Sequence, residues 1–334
     1  MLQIGYIGKI GTKIEALRTY NPARFIPGTT YDPATGVENT ISTPDNVNSR
    51  TIYEPGILSP QGFLLGNDFR SWYHSLQAQV IKRYSNGFSV MGSYTLSKSI
   101  DSSSTDNLGA TVSNPFNLRT ERGRSDWDRQ HAFVASYLWS PPIKFQNHWM
   151  NTAFGGWTFA GITSLQSGDP LTFFYGTDVA LDGTASAEQH SFLTGQPIGM
   201  SHTNRAAMID QFFNGNAFIN PTCGFVPQTG NPVAIEQQNC APSDIIYSLL
   251  GRYGQSGRGI LSGPAFSNTD FSIMKDFALK ERYKLQFRAE MFNAFNQVNF
   301  NDPDTTVEDG PGTFGAIQGA NSGRVIQFAL KILW

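Results

Sequence analysis

The sequence is poor in charge. Asp, Glu, Lys and Arg make up 15% of it and the formal net charge is −2, whereas an ordinary soluble domain carries roughly 25% charged residues. A nucleic-acid surface needs clustered Lys and Arg, so no nucleic-acid partner is expected. The same scarcity excludes a long coiled coil and an acidic disordered chain. Cysteine is nearly absent. Cys223 and Cys240 share one Gly/Pro/Asn-rich stretch; they could form one disulfide in an oxidising compartment or stay as two thiols. No stretch approaches the ~18 consecutive apolar residues of a transmembrane helix. The start, Met1-Leu2-Gln3-Ile4-Gly5-Tyr6, has no basic region, apolar block or small-residue cleavage site, so the sequence as written predicts no export signal.

Catalytic patterns are also missing. There is no Gly-x-Ser-x-Gly elbow. His74, His131, His148, His190 and His202 lie in different segments, and no nucleophile–base pair is apparent. The glycine-rich stretch 251–257 opens no helix after a strand, as a phosphate cradle would. Asp126 and Asp128 with His131 lack a strict ligand spacing and read as a polar network at a strand junction. Asp302, Asp304, Glu308 and Asp309 read as a solvated acidic loop rather than a Ca²⁺ site. The expectation is a protein that is not an enzyme, with no cofactor and no resident metal.

What the sequence has is alternation. From Tyr283 to Phe295, the odd positions begin Tyr283, Leu285, Phe287, Ala289, Met291 and the even ones Lys284, Gln286, Arg288, Glu290. Period two marks a strand with one apolar face; a helix, at 3.6, would not sort charge this way. The pattern recurs around Leu2–Lys9, Trp72–Tyr84, Phe88–Ile100, His131–Trp139, Trp157–Ser167, Asn268–Phe277 and Ile326–Trp334. Most of these eight segments approach the ~9–11 residues of a tilted transmembrane strand.

The connections sort by length. Ser85-Asn86-Gly87 predicts a tight hairpin turn, Lys280-Glu281-Arg282 a short polar one and 141–156 a moderate one. Residues 11–70, 101–129, 168–266 and 298–323 form long connections rich in Asn, Gly, Pro, Ser and Thr, which suits exposed, irregular segments. In an up-and-down meander all short turns then fall at one end and all long loops at the other, the arrangement of outer-membrane barrels. The apolar face would meet lipid, and the row Lys284, Gln286, Arg288 and Glu290 is a candidate lumen lining. Tyr84, Phe88, Trp139, Trp157, Phe277 and Tyr283 flank the short turns as an interfacial girdle would. Lys98 and Lys275, on the apolar parity near strand ends, are expected to snorkel to headgroups.

Further motifs are Trp72-Tyr73-His74-Ser75-Leu76-Gln77, Ser93-Tyr94-Thr95-Leu96-Ser97-Lys98, Asn114-Pro115-Phe116-Asn117, Arg122-Gly123-Arg124-Ser125-Asp126-Trp127, Gln166-Ser167-Gly168-Asp169-Pro170, Arg258-Gly259-Ile260-Leu261-Ser262-Gly263-Pro264 and Phe287-Arg288-Ala289-Glu290-Met291-Phe292-Asn293. With these motifs the chain resembles the Oar-like TonB-dependent outer-membrane transporters from near residue 1 to Trp334. That resemblance implies the C-terminal part of a 22-strand barrel for uptake of a large or scarce solute. It implies as partners outer-membrane lipid, the barrel assembly machinery, a plug and further barrel strands, with TonB reached only through an N-terminal region absent from this sequence. Such a chain is not expected to transport alone. The final strand, with Phe328, Leu330, Ile332 and Trp334, resembles the terminal strand that assembly machinery reads. The expected fold is all-β: an antiparallel up-and-down transmembrane barrel segment of about eight long strands over residues 1–334, either an open partial barrel or a small closed one, in the outer membrane. The alternative is an extracellular β-rich ligand- or glycan-binding module with Trp139 and Trp157 as stacking platforms.

Overall fold

The alternating segments assemble into one sheet. The computed structural model describes residues 1–33, 37–104, 112–184, 189–219, 249, 251–280 and 283–333. Eight long strands build the sheet: β1 (Leu2–Thr19), β2 (Phe63–Ser85), β3 (Phe88–Asp101), β4 (His131–Trp139), β5 (Trp157–Gln166), β6 (Phe266–Lys280), β7 (Tyr283–Phe292) and β8 (Val325–Leu333), with the two-residue strand Gly123–Arg124 paired on β3. They pair in chain order, each antiparallel to the next. Among the described residues β1 pairs only with β2 and β8 only with β7, so the sheet is open.

The ladders carry a single register. Directly opposed residues share a face. Val90, Tyr137, Gly161, Phe271, Met291 and Ile326 are successive partners from β3 to β8, and Leu76 stands between Tyr6 and Leu96 across β1 to β3. The apolar parities of all eight strands therefore merge into one continuous surface. Its side chains are bare: Phe328 is 72% exposed, Leu330 70% and Ile4 67%. A surface this wide and apolar is unfavourable in water and favourable against lipid.

The turn end follows the expected chemistry. Asn86 and Gly87 take φ of 52° and 76°, the left-handed pair of a type I′ hairpin. Trp139 packs on Phe159 at 5.5 Å between ring centroids, and Phe287 on Phe328 at 6.3 Å. The moderate turn holds an unforeseen helix, α1 (His148–Phe154), started by the Asn147 side chain accepting from the Trp149 amide. This helix corrects the expectation for Lys275. That ammonium does not snorkel to headgroups; it donates to the Ala153 and Gly155 carbonyls at 3.1 and 2.7 Å and lies 4.9 Å from the Trp157 ring. The orphan carbonyls at the end of α1 attract a cation.

Two expectations about the loop end are overturned. β1 and β2 run on as a two-stranded ribbon, so the first loop spans 20–62, not 11–70. The register shifts between Thr12 and Ile14 and again between Ile14 and Ala16, and Lys13 takes φ of 57°; bulges of this kind break the period of two. Nor are the long loops simply exposed and irregular. Leu171, Phe173, Tyr175, Val179, Phe192, Phe213, Phe218, Val307 and Phe314 form the largest buried cluster of the described residues. Phe173, Phe213, Phe218 and Phe314 pack with ring centroids 4.3 to 6.3 Å apart. A wall whose outward face meets lipid has no core of its own, and the loops supply one.

Candidate functional site

The loops form one body at the barrel mouth, tied by polar groups. Arg258, in the longest loop, donates through Nη1 to Asp101 Oδ1 at 2.8 Å and to the Glu121 carbonyl at 3.1 Å, and through Nη2 to Ser104 Oγ at 2.6 Å. Asp126 lies at the edge of the same guanidinium, 3.4 Å away. The first loop joins through the Ala23 amide on the Asp182 carbonyl at 2.7 Å and through Arg50 on the Leu181 carbonyl at 3.1 Å. The last loop joins through Glu308, whose carboxylate accepts from the Gly176 amide at 2.7 Å and from the Thr177 amide and hydroxyl. Tyr253 closes the set on Asp182 at 2.6 Å.

Burial sets the protonation of this body. Desolvation pushes the Glu121 carboxyl up to about 7, although Arg258 and backbone amides pull the other way. Desolvation, aided by Arg258, pushes the His190 imidazole down to about 4. His190 Nε2 and Glu121 Oε2 stand 3.9 Å apart, so two adjacent buried groups both favour their neutral forms. Burial and the neighbouring Asp178 push Asp182 up to about 6.

Two recesses open on this assembly and a third on the sheet. A groove of about 560 Å³ beside the ribbon is lined by Tyr20, Tyr53, Leu58, Leu64 and Phe116. A polar recess of about 330 Å³ holds the Arg129–Asp169 ion pair with Asn301, Asp302 and Asn321. A third, of about 530 Å³, lies on the polar face of the sheet, where Ile81, Met91, Leu138, Ala160 and Ile162 line it. That last patch is apolar although the face around it is largely polar.

The sequence-predicted residues fall as follows. Lys284, Gln286, Arg288 and Glu290 share the face opposite the apolar one, and the last three are hydrogen-bonded. Gln286 donates to Asp276 at 2.8 Å, Arg288 to Gln286 at 2.8 Å, and Gln327 to Glu290. Phe328, Leu330 and Ile332 stand on the apolar face of β8, exposed along an unpaired edge. Trp334, Cys223 and Cys240 lie outside the described residues. Trp139 and Trp157 are not extracellular stacking platforms; they sit on the apolar face beside the short turns, which removes their role in the glycan-binding alternative. Asp128 accepts from Arg124 at 2.9 Å and from the Ser99 amide at 2.7 Å, while His131 bonds Tyr94 at 2.7 Å. These groups therefore serve separate partners. The Arg258–Asp101–Glu121–His190 cluster was missed by the sequence reading. Its one visible signal was an arginine beside glycines in a chain with little charge.

A family model described as an outer membrane beta barrel domain matches residues 1–327. The chain belongs to that family. It is an outer-membrane protein, and its bare apolar face is the lipid-facing one. No curated protein matches the sequence. Among solved structures, the outer membrane transporter YddB from Escherichia coli is similar at 8% identity with a TM-score of 0.43; the match covers 99% of this chain and 30% of that one. The chain thus spans 30% of the length of that protein.

Proposed function

We infer that this outer-membrane barrel chain forms wall and mouth of a TonB-dependent receptor of the Oar-like kind, which takes up a large or scarce solute and is not an enzyme. The observation that carries the reading is an open transmembrane sheet whose inner face bears an apolar groove of about 530 Å³. Unpaired strand edges and exposed apolar patches call for covering protein. Further barrel strands would cover the edges, and a plug would cover the groove. In this reading the barrel assembly machinery engages β8, TonB contacts a region outside this sequence, and the tied loops bind solute outside the cell. The chain alone does not transport.

The test is uptake by cells that produce the complete receptor. Receptor-deleted and TonB-deleted strains are compared across radiolabelled cobalamin, ferric siderophores, oligosaccharides and peptides. The expected result is a solute whose uptake is lost in both strains. Receptor-dependent uptake that persists without TonB would overturn the energised mechanism.

A further inference from the structure

The lipid-facing surface has an outer boundary marked by two matching pairs. Tyr6 Oη lies 2.6 Å from His74 Nδ1, and Tyr94 Oη lies 2.7 Å from His131 Nδ1. Both pairs stack with centroids 6.1 Å apart, at interplanar angles of 22° and 27°. Amphipathic rings of this kind settle where hydrocarbon gives way to headgroups.

Immediately outward lies a group of cations. Lys98 is the direct partner of His74, and Ile100 that of Trp72. Arg70, Trp72 and His74 alternate along β2 on the same lipid-facing side. The Arg122 guanidinium rests 4.8 Å from the centroid of the Trp72 ring. Trp72, two residues beyond His74, is ~7 Å further along the strand, about the depth of one headgroup layer. Arg70, Lys98 and Arg122 are all exposed, and none forms an ion pair among the described residues. The carboxylates nearby along the strands are engaged elsewhere, Asp68 by Arg18 at 3.3 Å and Asp101 by Arg258 at 2.8 Å.

In a chain with so little charge, three cations without an ion pair among the described residues, one on the Trp72 ring and two at neighbouring strand positions, at headgroup depth and on the lipid side, match an anionic headgroup. We propose that Arg70, Lys98 and Arg122, arranged around Trp72, bind the phosphates of a phosphorylated lipid in the outer leaflet. Guanidinium and ammonium groups supply charge-assisted hydrogen bonds to phosphate oxygens. The apolar face below, from Leu76 and Leu96 downward, would receive the acyl chains. This site rests on membership of the outer-membrane family and stands whether or not the receptor is TonB-dependent.

The full chain, extracted in detergent, is titrated with bis-phosphorylated lipid A, and retained lipid is counted by native mass spectrometry. The variant Arg70→Gln/Lys98→Gln/Arg122→Gln should bind roughly 100-fold more weakly, at about fivefold per charge. Lys144→Gln, at the opposite end, should bind as the parent does. Arg70→Lys/Lys98→Arg/Arg122→Lys, which keeps the charge, should keep most of the binding. On the unaltered chain, binding should weaken as salt is raised and on removal of the lipid phosphates. Three results would overturn the proposal: equal retention of dephosphorylated lipid A, salt-independent binding, or displacement of lipid by inorganic phosphate at matching concentration. The last would make the site one for free phosphate.

Discussion

Arg258 and Asp101, 157 positions apart in sequence, meet at 2.8 Å, and that bond fastens the longest loop to the last residue of β3. Both side chains are nearly buried, at 10% and 7% exposure. Removing Arg258 leaves the Asp101 carboxylate buried without its ion-pair partner.

Arg258→Gln is therefore expected to destabilise the loop body by about 3–5 kcal/mol, the usual consequence of orphaning a buried charge. Arg258→Gln/Asp101→Asn should cost clearly less than Arg258→Gln alone. Limited proteolysis of the folded protein in detergent reads this directly: the single variant should be cut in the loops while the wall stays intact. Equal susceptibility of single and double variants would show that the pairing itself contributes nothing.

The Glu121–His190 contact yields a pH signature. Folded Glu121 holds its proton to about pH 7 but ionises near 4.5 when unfolded. Its stabilising effect is thus complete below 4.5 and lost as pH rises through 7. Folded His190 stays neutral down to about pH 4, whereas the unfolded imidazole gains its proton near 6.5, so its effect is complete above 6.5 and lost as pH falls through 4. The slopes oppose each other where the windows overlap. Relative to the unaltered protein, Glu121→Gln should shift the slope of stability upward with pH between 4.5 and 7, and His190→Asn should shift it downward between 4 and 6.5, each by at most ~1.4 kcal/mol per pH unit. Urea titrations in micelles at several pH values test this; slopes in both variants equal to that of the unaltered protein would refute it.

Two phenylalanines should behave in opposite ways. Phe173 is fully buried in the loop core, and Phe328 is 72% exposed on the lipid face. Phe173→Ala should cost about 3–5 kcal/mol and open the loops to protease. Phe328→Ala leaves no internal cavity, so it should spare loop stability and instead slow insertion into the outer membrane, read as periplasmic accumulation. A protease-sensitive Phe328→Ala would contradict the separation of loop core from wall.

The wall was legible in the sequence wherever charge obeyed period two. Lys284, Gln286, Arg288 and Glu290 against Leu285, Phe287 and Met291 fixed β7 without help. The ribbon from Thr12 onward was not legible, because bulges near Lys13 and Ile14 disrupt alternation. The loop core left little pattern beyond the apolar run Pro170–Tyr175. Phe173 and Phe213 each belong to a Phe-Phe doublet, Phe218 and Phe314 stand singly, and only the fold gathers the four. Glu121 comes from one loop, and His190 and Arg258 from distant parts of another, so spacing could not announce them. The inner apolar groove was hidden differently: Met91, Leu138 and Ile162 each look incidental among serines and threonines until neighbouring strands align them.

Away from the bulges, the register also behaves as an arithmetic rule on the gene. Lipid-facing positions are even in β1, β2, β3 and β8 and odd in β4, β5, β6 and β7. The parity changes only inside the long connections, between β3 and β4 and between β7 and β8. Gaining or losing one codon within a strand would turn the rest of that strand inside out, presenting Ser, Gln and Lys to hydrocarbon. The same event in a loop leaves every strand correctly dealt. Drift in length is thus confined to the mouth, and outward diversity is compatible with a membrane sector frozen in its counting.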